Sequence, residues 1–234
     1  MKIEANLLRR YLKKVSINSE ITTLNLNFTE EGLQTSVKDA STIAMTTGKI
    51  TPAGFTDYEA IGELFIRDST FLINLISAFT EDIIIEKHGD TMVKFSDGSR
   101  EVYMILADES ICDNILRNFE PKLEFKAEMD LTRRDLFKVV GDMKLLTTNV
   151  VTITHENGKV SFQVGKENEY DFAKHILVAS GEDAKVSVGA IFMKAVDMLD
   201  NLVTLKIGTD IPIKMIDEQE HMTVSTIISP IVEN

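Results

Sequence analysis

Apolar and polar residues alternate along most of this chain, and helical spacing interrupts the alternation in four places. Residues 21–28 read I-T-T-L-N-L-N-F, reach a turn at Thr29-Glu30-Glu31-Gly32 and resume alternating over 33–37. Residues 150–154 do the same, turn at Glu156-Asn157-Gly158 and resume over 159–164; Asn-Gly between two alternating runs is a strong hairpin signal. Further strands are predicted at 1–5, 83–87, 92–95, 101–106, 124–129, 170–178, 202–207, 211–216 and 222–228. Helices are predicted over 6–15, 69–79, 132–146 and 190–199. In the first, Leu7, Leu8, Tyr11, Leu12 and Val15 make one apolar stripe, and in the third Leu136, Val139, Val140 and Met143 do. The fold class is therefore α+β.

The pattern repeats. Residues 8–15 (L-R-R-Y-L-K-K-V) lie over residues 132–139 (T-R-R-D-L-F-K-V) with five of eight positions identical at an offset of 124. Each copy leads into a hairpin, and each half then carries a second helix running directly into strands, an order of elements that points to internal duplication. Between the halves, residues 108–122 show no alternation, carry Ile111, Ile115, Leu116 and Phe119, and close at Pro121. The expected organisation is an N-terminal domain over 1–107, a connecting linker over 108–122 and a C-terminal domain over 123–234. The linker reads either as a strip docked on something or as a short amphipathic helix capping the core.

Charge changes this picture more than composition does. A 44% hydrophobic content supports a packed core, and the formal net charge of −12 argues against an open nucleic-acid surface. Yet residues 1–16 hold Lys2, Arg9, Arg10, Lys13 and Lys14 against Glu4 alone, a net +4 that leaves −16 on the remainder. A solvated helix face on an acidic protein is the plain reading of that cluster by itself. No apolar run is long enough to span a membrane, the N-terminus lacks a signal peptide's apolar centre, and the single Cys112 fits a reducing compartment.

Signatures of catalysis are missing: no G-x-S-x-G, P-loop, G-x-G-x-x-G or H-E-x-x-H occurs. His88, His155, His175 and His221 are scattered, and Cys112 has no partner for zinc. A binding protein with no catalytic residue, cofactor or metal is expected.

With these pieces in place, the chain resembles the DNA sliding clamps of the proliferating-cell-nuclear-antigen type, the archaeal and viral members more than the eukaryotic ones. Residues 192–195 (F-M-K-A), 202–208 (L-V-T-L-K-I-G) and 210–213 (D-I-P-I) follow the family's helix, strand, and strand opening on x-P-[LIM]. The ending I-I-S-P-I-V-E over 227–233 is similar to the closing (Y/L)-L-A-P-[KR]-[IV]-E, and D-A-S-T-I-A-M over 39–45 to D-[PS]-[SA]-x-V-x-[LM]; the L-K-K-V of residues 12–15 also occurs in some members. The departures are Ser229 for alanine, Ile231 for a basic residue, Lys38 for a small or apolar one, and a first helix cut short at residues 16–19.

The resemblance implies two similar clamp domains per chain, with antiparallel sheets outside and helices lining a ring of three copies closed through edge strands near 101–106 and 170–178. It implies sequence-independent contact with the backbone of double-stranded DNA through Arg9, Arg10, Lys13, Lys14, Arg133, Arg134, Lys138, Lys144 and Lys194. The predicted helix over 69–79 carries no basic residue and adds nothing to that lining. It also implies a clamp loader, and DNA polymerase, nuclease and ligase partners whose short peptides dock beside the linker at Met45, Ile115, Leu116, Pro212, Ile227, Ser229 and Pro230; ordinary core packing is the plain alternative for each, and for Met45 and Ile227 it weighs about as much. The implied role is a processivity factor in replication and repair, cytoplasmic and nucleoid-associated in an archaeal or prokaryotic-virus setting and nuclear in a eukaryotic one. Two alternatives stand beside it: a clamp paralogue of a heteromeric ring or one that activates transcription, and a β-rich adaptor that forms no ring.

Overall fold

The computed structural model describes residues 1–112, 114–116, 122–165 and 171–231. Part of the 108–122 linker (including Phe119 and Pro121), Tyr170 and the last residues of the closing motif lie outside them. The chain divides into two compact units, the first of Met1–Ser41, Met45–Phe119 and Gln219–Val224, the second of Thr42–Ala44, Glu120–Glu218 and Ser225–Asn234.

The first unit runs β1 (Lys2–Glu4), α1 (Ala5–Val15), β2 (Leu24–Thr29), β3 (Gly32–Lys38), β4 (Ala44–Ile50), β5 (Phe55–Asp57), β6 (Gly62–Ile66), α2 (Ser69–Ser77), β7 (Asp82–His88), β8 (Met92–Ser96) and β9 (Glu101–Ile105). Its strands pair in the orders β5-β1-β7-β8-β9 and β4-β3-β2-β6. The β2–β3 hairpin pairs Thr29 with Gly32 around the two-residue loop Glu30-Glu31. Gly32 has φ +114°, and a Cβ there would come within 2.1 Å of the Ile50 carbonyl oxygen, so only glycine fits. α1 packs beside α2, burying Leu8, Tyr11, Leu12 and Val15 over a core that includes Phe28, Leu33 and Phe95.

The second unit runs β10 (Ala127–Thr132), α3 (Arg133–Leu145), β11 (Val151–Glu156), β12 (Lys159–Val164), β13 (Ala173–Val178), β14 (Ser180–Gly181), β15 (Ala184–Val188), α4 (Ile191–Asp197), β16 (Leu202–Ile207), β17 (Ile213–Glu218) and, from Ser225 on, β18 (Met222–Ile228). Its orders, β14-β10-β16-β17-β18 and β13-β12-β11-β15, are those of the first unit strand for strand. The Asn157-Gly158 turn has φ +53° and +73°, the left-handed pair that a two-residue hairpin requires. α3 packs beside α4 over Phe162, Phe192 and Leu205. The chain is thus an α+β protein of two like-folded halves.

Three sequence expectations need correction. The strand expected at 124–129 is β10, which runs on to Thr132 because that residue caps α3 with its side chain. The strand expected from residue 21 begins at Leu24, because Ile21 is drawn into the turn that ends α1. There Ile17, Asn18 and Ser19 are left-handed (φ 47°, 53°, 74°), and the Asn18 and Ile21 amides donate back to the Lys13 and Ser16 carbonyls. The repeat offset is also wrong by one helical turn. Leu8, Tyr11, Leu12 and Val15 of α1 occupy the buried positions that Leu136, Val139, Val140 and Met143 occupy on α3, an offset of 128. The Arg9-Arg10 and Arg133-Arg134 pairs therefore do not stand at equivalent sites.

Candidate nucleic-acid and partner interfaces

α1 and α2 contain no acidic residue. On α1, with Leu8, Tyr11, Leu12 and Val15 turned inward, helical geometry puts Asn6, Arg10 and Lys13 on the opposite side and Arg9 and Lys14 on its flanks. Arg9, Arg10 and Lys13 are half-buried and Lys14 is buried; the Arg9 guanidinium donates to Asn6 Oδ1 at 2.7 Å. α2 turns Thr70, Phe71, Asn74 and Ser77 to the surface and carries no cation.

The corresponding surface of the second unit is mixed. Arg133, Arg134, Lys138 and Lys144 of α3 and Lys194 of α4 are exposed, but Asp135, Asp142 and Asp197 stand among them. Lys138 pairs with Asp135 at 3.2 Å and Lys144 with Asp197 at 3.8 Å. Arg133 donates to the Asp197 carbonyl at 3.4 Å and lies 4.5 Å over the Phe137 ring. His175 meets Asp142 at 2.6 Å. The hydroxyl of Thr132 and then Lys138 hold the Asp135 carboxyl below its ordinary range.

The sequence-predicted partner positions fall on both units. In the first, the start of the linker is stitched to β3: Ile115 bridges Val37, the Leu116 amide donates to the Ser36 carbonyl, and the Lys38 amide donates to the Asn114 carbonyl. Asn114 is buried; its amide group donates to the Thr23 and Lys38 carbonyls while its oxygen accepts from the Thr23 hydroxyl. Met45 pairs with Lys38 across β3–β4, and Met45, Ile115 and Leu116 are each half-buried. In the second unit Ile227 is buried, whereas Pro212, Ser229 and Pro230 are half-buried. Ser229 bonds the Ile43 and Thr42 carbonyls, and Pro230 bridges Val188.

Two edge strands complete the geometry. Among the described residues, β9 and β13 each have a strand neighbour on one side only. Tyr103 and Ile105 on β9, and Ile176 and Val178 on β13, are exposed at 48%, 77%, 59% and 89%.

No protein-family model and no curated protein matches the sequence. Solved structures do match. The PCNA of A. fulgidus bound to the C-terminal region of FEN-1 superposes with a TM-score of 0.88 at 17% identity, over 100% of this chain and 98% of that one. The PCNA of Entamoeba histolytica gives 0.82 at 18%, over 99% and 98%. The PCNA2–PCNA3 complex of Sulfolobus tokodaii gives 0.77 at 16%, over 100% of both. The fold is that of a PCNA sliding clamp.

On that clamp fold, two features were not singled out from sequence. Ile43 is exposed at 47% and its carbonyl receives the Ser229 amide, so an apolar side chain stands beside the closing motif; its polar neighbours Ser41 and Thr42 hid it. Asn114, the residue that ties the linker down, carries no pattern that a hydropathy reading registers. Among the described residues no group of three or more His, Cys, Asp or Glu side chains could hold a metal. Buried His155 is occupied structurally, its two ring nitrogens meeting the Glu182 and Ala179 carbonyls at 3.0 and 3.3 Å.

Proposed function

We propose that the chain is a subunit of a three-copy sliding clamp that closes around duplex DNA and tethers DNA polymerase, nuclease and ligase as a non-enzymatic processivity factor. The observation that carries the reading is the clamp fold over the whole chain together with two edge strands that expose large apolar side chains, Tyr103 and Ile105 on one and Ile176 and Val178 on the other. Exposed apolar edges are aggregation hazards unless something covers them, and head-to-tail contact between β9 of one copy and β13 of the next covers both and closes a ring.

Electrostatics supports the same reading. The four helices hold nine cations and three carboxylates, a net +6, which leaves −18 on the rest of a chain whose total is −12. Helices lining the hole would meet phosphates while the acidic remainder turns DNA away from the outside. Contacts would be to the backbone alone, as sliding demands. Partner peptides would place apolar anchors against Met45, Ile115 and Leu116 on one unit and Pro212, Ile227, Ser229 and Pro230 on the other, with a loader opening the ring; the A. fulgidus PCNA holds such a partner segment from FEN-1.

Retention on circular against linearised DNA, with a loader present, tests the function. The chain should stay on circles and run off linear ends; equal loss from both would sink the topological claim in favour of a non-ring adaptor. Arg9, Arg10, Arg133 and Arg134 changed together to Glu should abolish loading and leave the fold intact. A purified chain that stays monomeric at micromolar concentration would point instead to a heteromeric ring.

A further inference from the structure

We infer that the grip on DNA is lopsided: within each subunit the first unit holds the phosphodiester backbone, and the second offers a weakly charged, partly apolar surface that the duplex slides past. This rests on the ring proposed above. The correct register of the two helices carries the argument. At the offset of 128, the α3 counterparts of Arg9, Arg10, Lys13 and Lys14 are Phe137, Lys138, Gly141 and Asp142. Three of the four cationic positions of α1 therefore hold, on α3, a ring, a bare backbone and a carboxylate.

Of the four cations that α3 carries, Arg133, Lys138 and Lys144 are engaged at home, and Arg134 is exposed. Lys138 is 3.2 Å from Asp135, Lys144 is 3.8 Å from Asp197, and Arg133 bonds the Asp197 carbonyl and stacks on Phe137. A phosphate approaching these groups meets a carboxylate beside each lysine, and the repulsion offsets the attraction. On helices alone, the first unit has four cations, of which Lys14 is buried, and no acid, while the second has five cations and three acids. α3 also exposes Leu145 at 78%, on the same side as Arg134, Lys138 and Gly141 by helical spacing. A phosphate pressed against that side chain would lose water and gain no hydrogen bond in return.

Each neutralised phosphate contributes about 0.9 to the slope of log affinity against log salt. The full-length protein and three variants are titrated with a short fluorescent duplex over a range of salt. The variants are Arg9→Gln/Lys13→Gln, Arg134→Gln/Lys138→Gln and Asp135→Asn/Asp197→Asn. All three pairs of sites lie at least partly at the surface, and an unchanged melting temperature and oligomer mass confirm an unchanged fold. The first pair should flatten the slope by roughly 2, by the same rule. The second pair should flatten it by less than half as much, and the Asp pair should steepen it. Equal losses from the two cation pairs, a larger loss from the second, or no gain from the Asp pair would overturn the inference. An unmodified chain that runs off circular and linear DNA alike overturns the ring, and this inference with it; the same chain retained on circles with equal slopes overturns the inference alone.

Discussion

Asn114 does the work of a short strand with one side chain. Where β2 and β3 part beyond the Asn27–Gln34 pair, it donates to the Thr23 carbonyl at 2.9 Å and the Lys38 carbonyl at 3.2 Å. With the Lys38 and Leu116 amides bonded to the Asn114 and Ser36 carbonyls, it sets the register in which Ile115 and Leu116 are presented. Asn114→Ala leaves two part-buried carbonyls short of a donor, so it should destabilise the protein by about 1–2 kcal/mol, read from the midpoint of denaturant unfolding. Amide exchange at Leu116 and Lys38 should accelerate, while exchange in the distant β7–β8 pair should change only by the global amount. Equal acceleration everywhere would mean that Asn114 supports the unit and not the linker. Close fit elsewhere in this unit also hangs on single atoms. A Cβ at Gly48 would come within 2.5 Å of Val15 and 2.8 Å of Tyr11, and the Thr46 hydroxyl takes the Val15 carbonyl at the end of α1.

Those two residues also explain what the elements withheld from a reading of sequence. β4 turns Ala44, Thr46, Gly48 and Ile50 inward, and only the last is large and apolar. Its alternation is one of space for α1, invisible to hydropathy, and the strand was not foreseen. β6 and β15, five residues each, were not foreseen either, although β15 alternates as A-K-V-S-V. The hairpins, the four helices and β16 were legible because their inward faces are bulky. The repeat was legible too, but its register slipped by four because residues four apart share a helix face: Leu12 over Leu136 and Val15 over Val139 still set apolar on apolar. Shared arginines decided between two registers that burial separates cleanly. The nine cationic candidates all fall on α1, α3 and α4, but the sequence did not show how differently acids neighbour them. α3 begins with a reciprocal cap that α1 lacks: Thr132 accepts from the Asp135 amide at 3.2 Å and donates to its carboxylate at 2.6 Å. Thr132→Ala should cost about 1 kcal/mol by thermal or denaturant unfolding. Because the folded Asp135 carboxyl titrates below its unfolded value, the wild-type advantage is present above the ordinary carboxylate range and fades as pH falls through the folded value. A difference between the two proteins that grows on acidification would contradict this.

For the whole molecule, both halves repeat one topology while their surfaces have diverged. β9 and β13, which stand at different places in that topology, both leave isoleucine outside: Ile105 is 77% exposed and Ile176 is 59% exposed. Neither supports its own unit, so Ile105→Lys or Ile176→Lys should change intrinsic stability by no more than about 0.5 kcal/mol. Each should nevertheless shift the protein to smaller species by light scattering, since both ends of a head-to-tail contact are needed to close a ring. Unchanged mass in both variants would place the contact elsewhere. The linker carries a different consequence, one of timing. The bonds that hold it at Asn114 join residues 91 and 76 positions apart in sequence. Contacts of such span form late, after the nearer pairings have already repaid the loss of chain entropy. The strip beside Ile115 and Leu116 therefore exists only once residues 23 and 38 stand in their sheet. A chain still emerging or half-folded has no ordered strip to offer, and a partner that docks there selects for subunits whose first unit is finished.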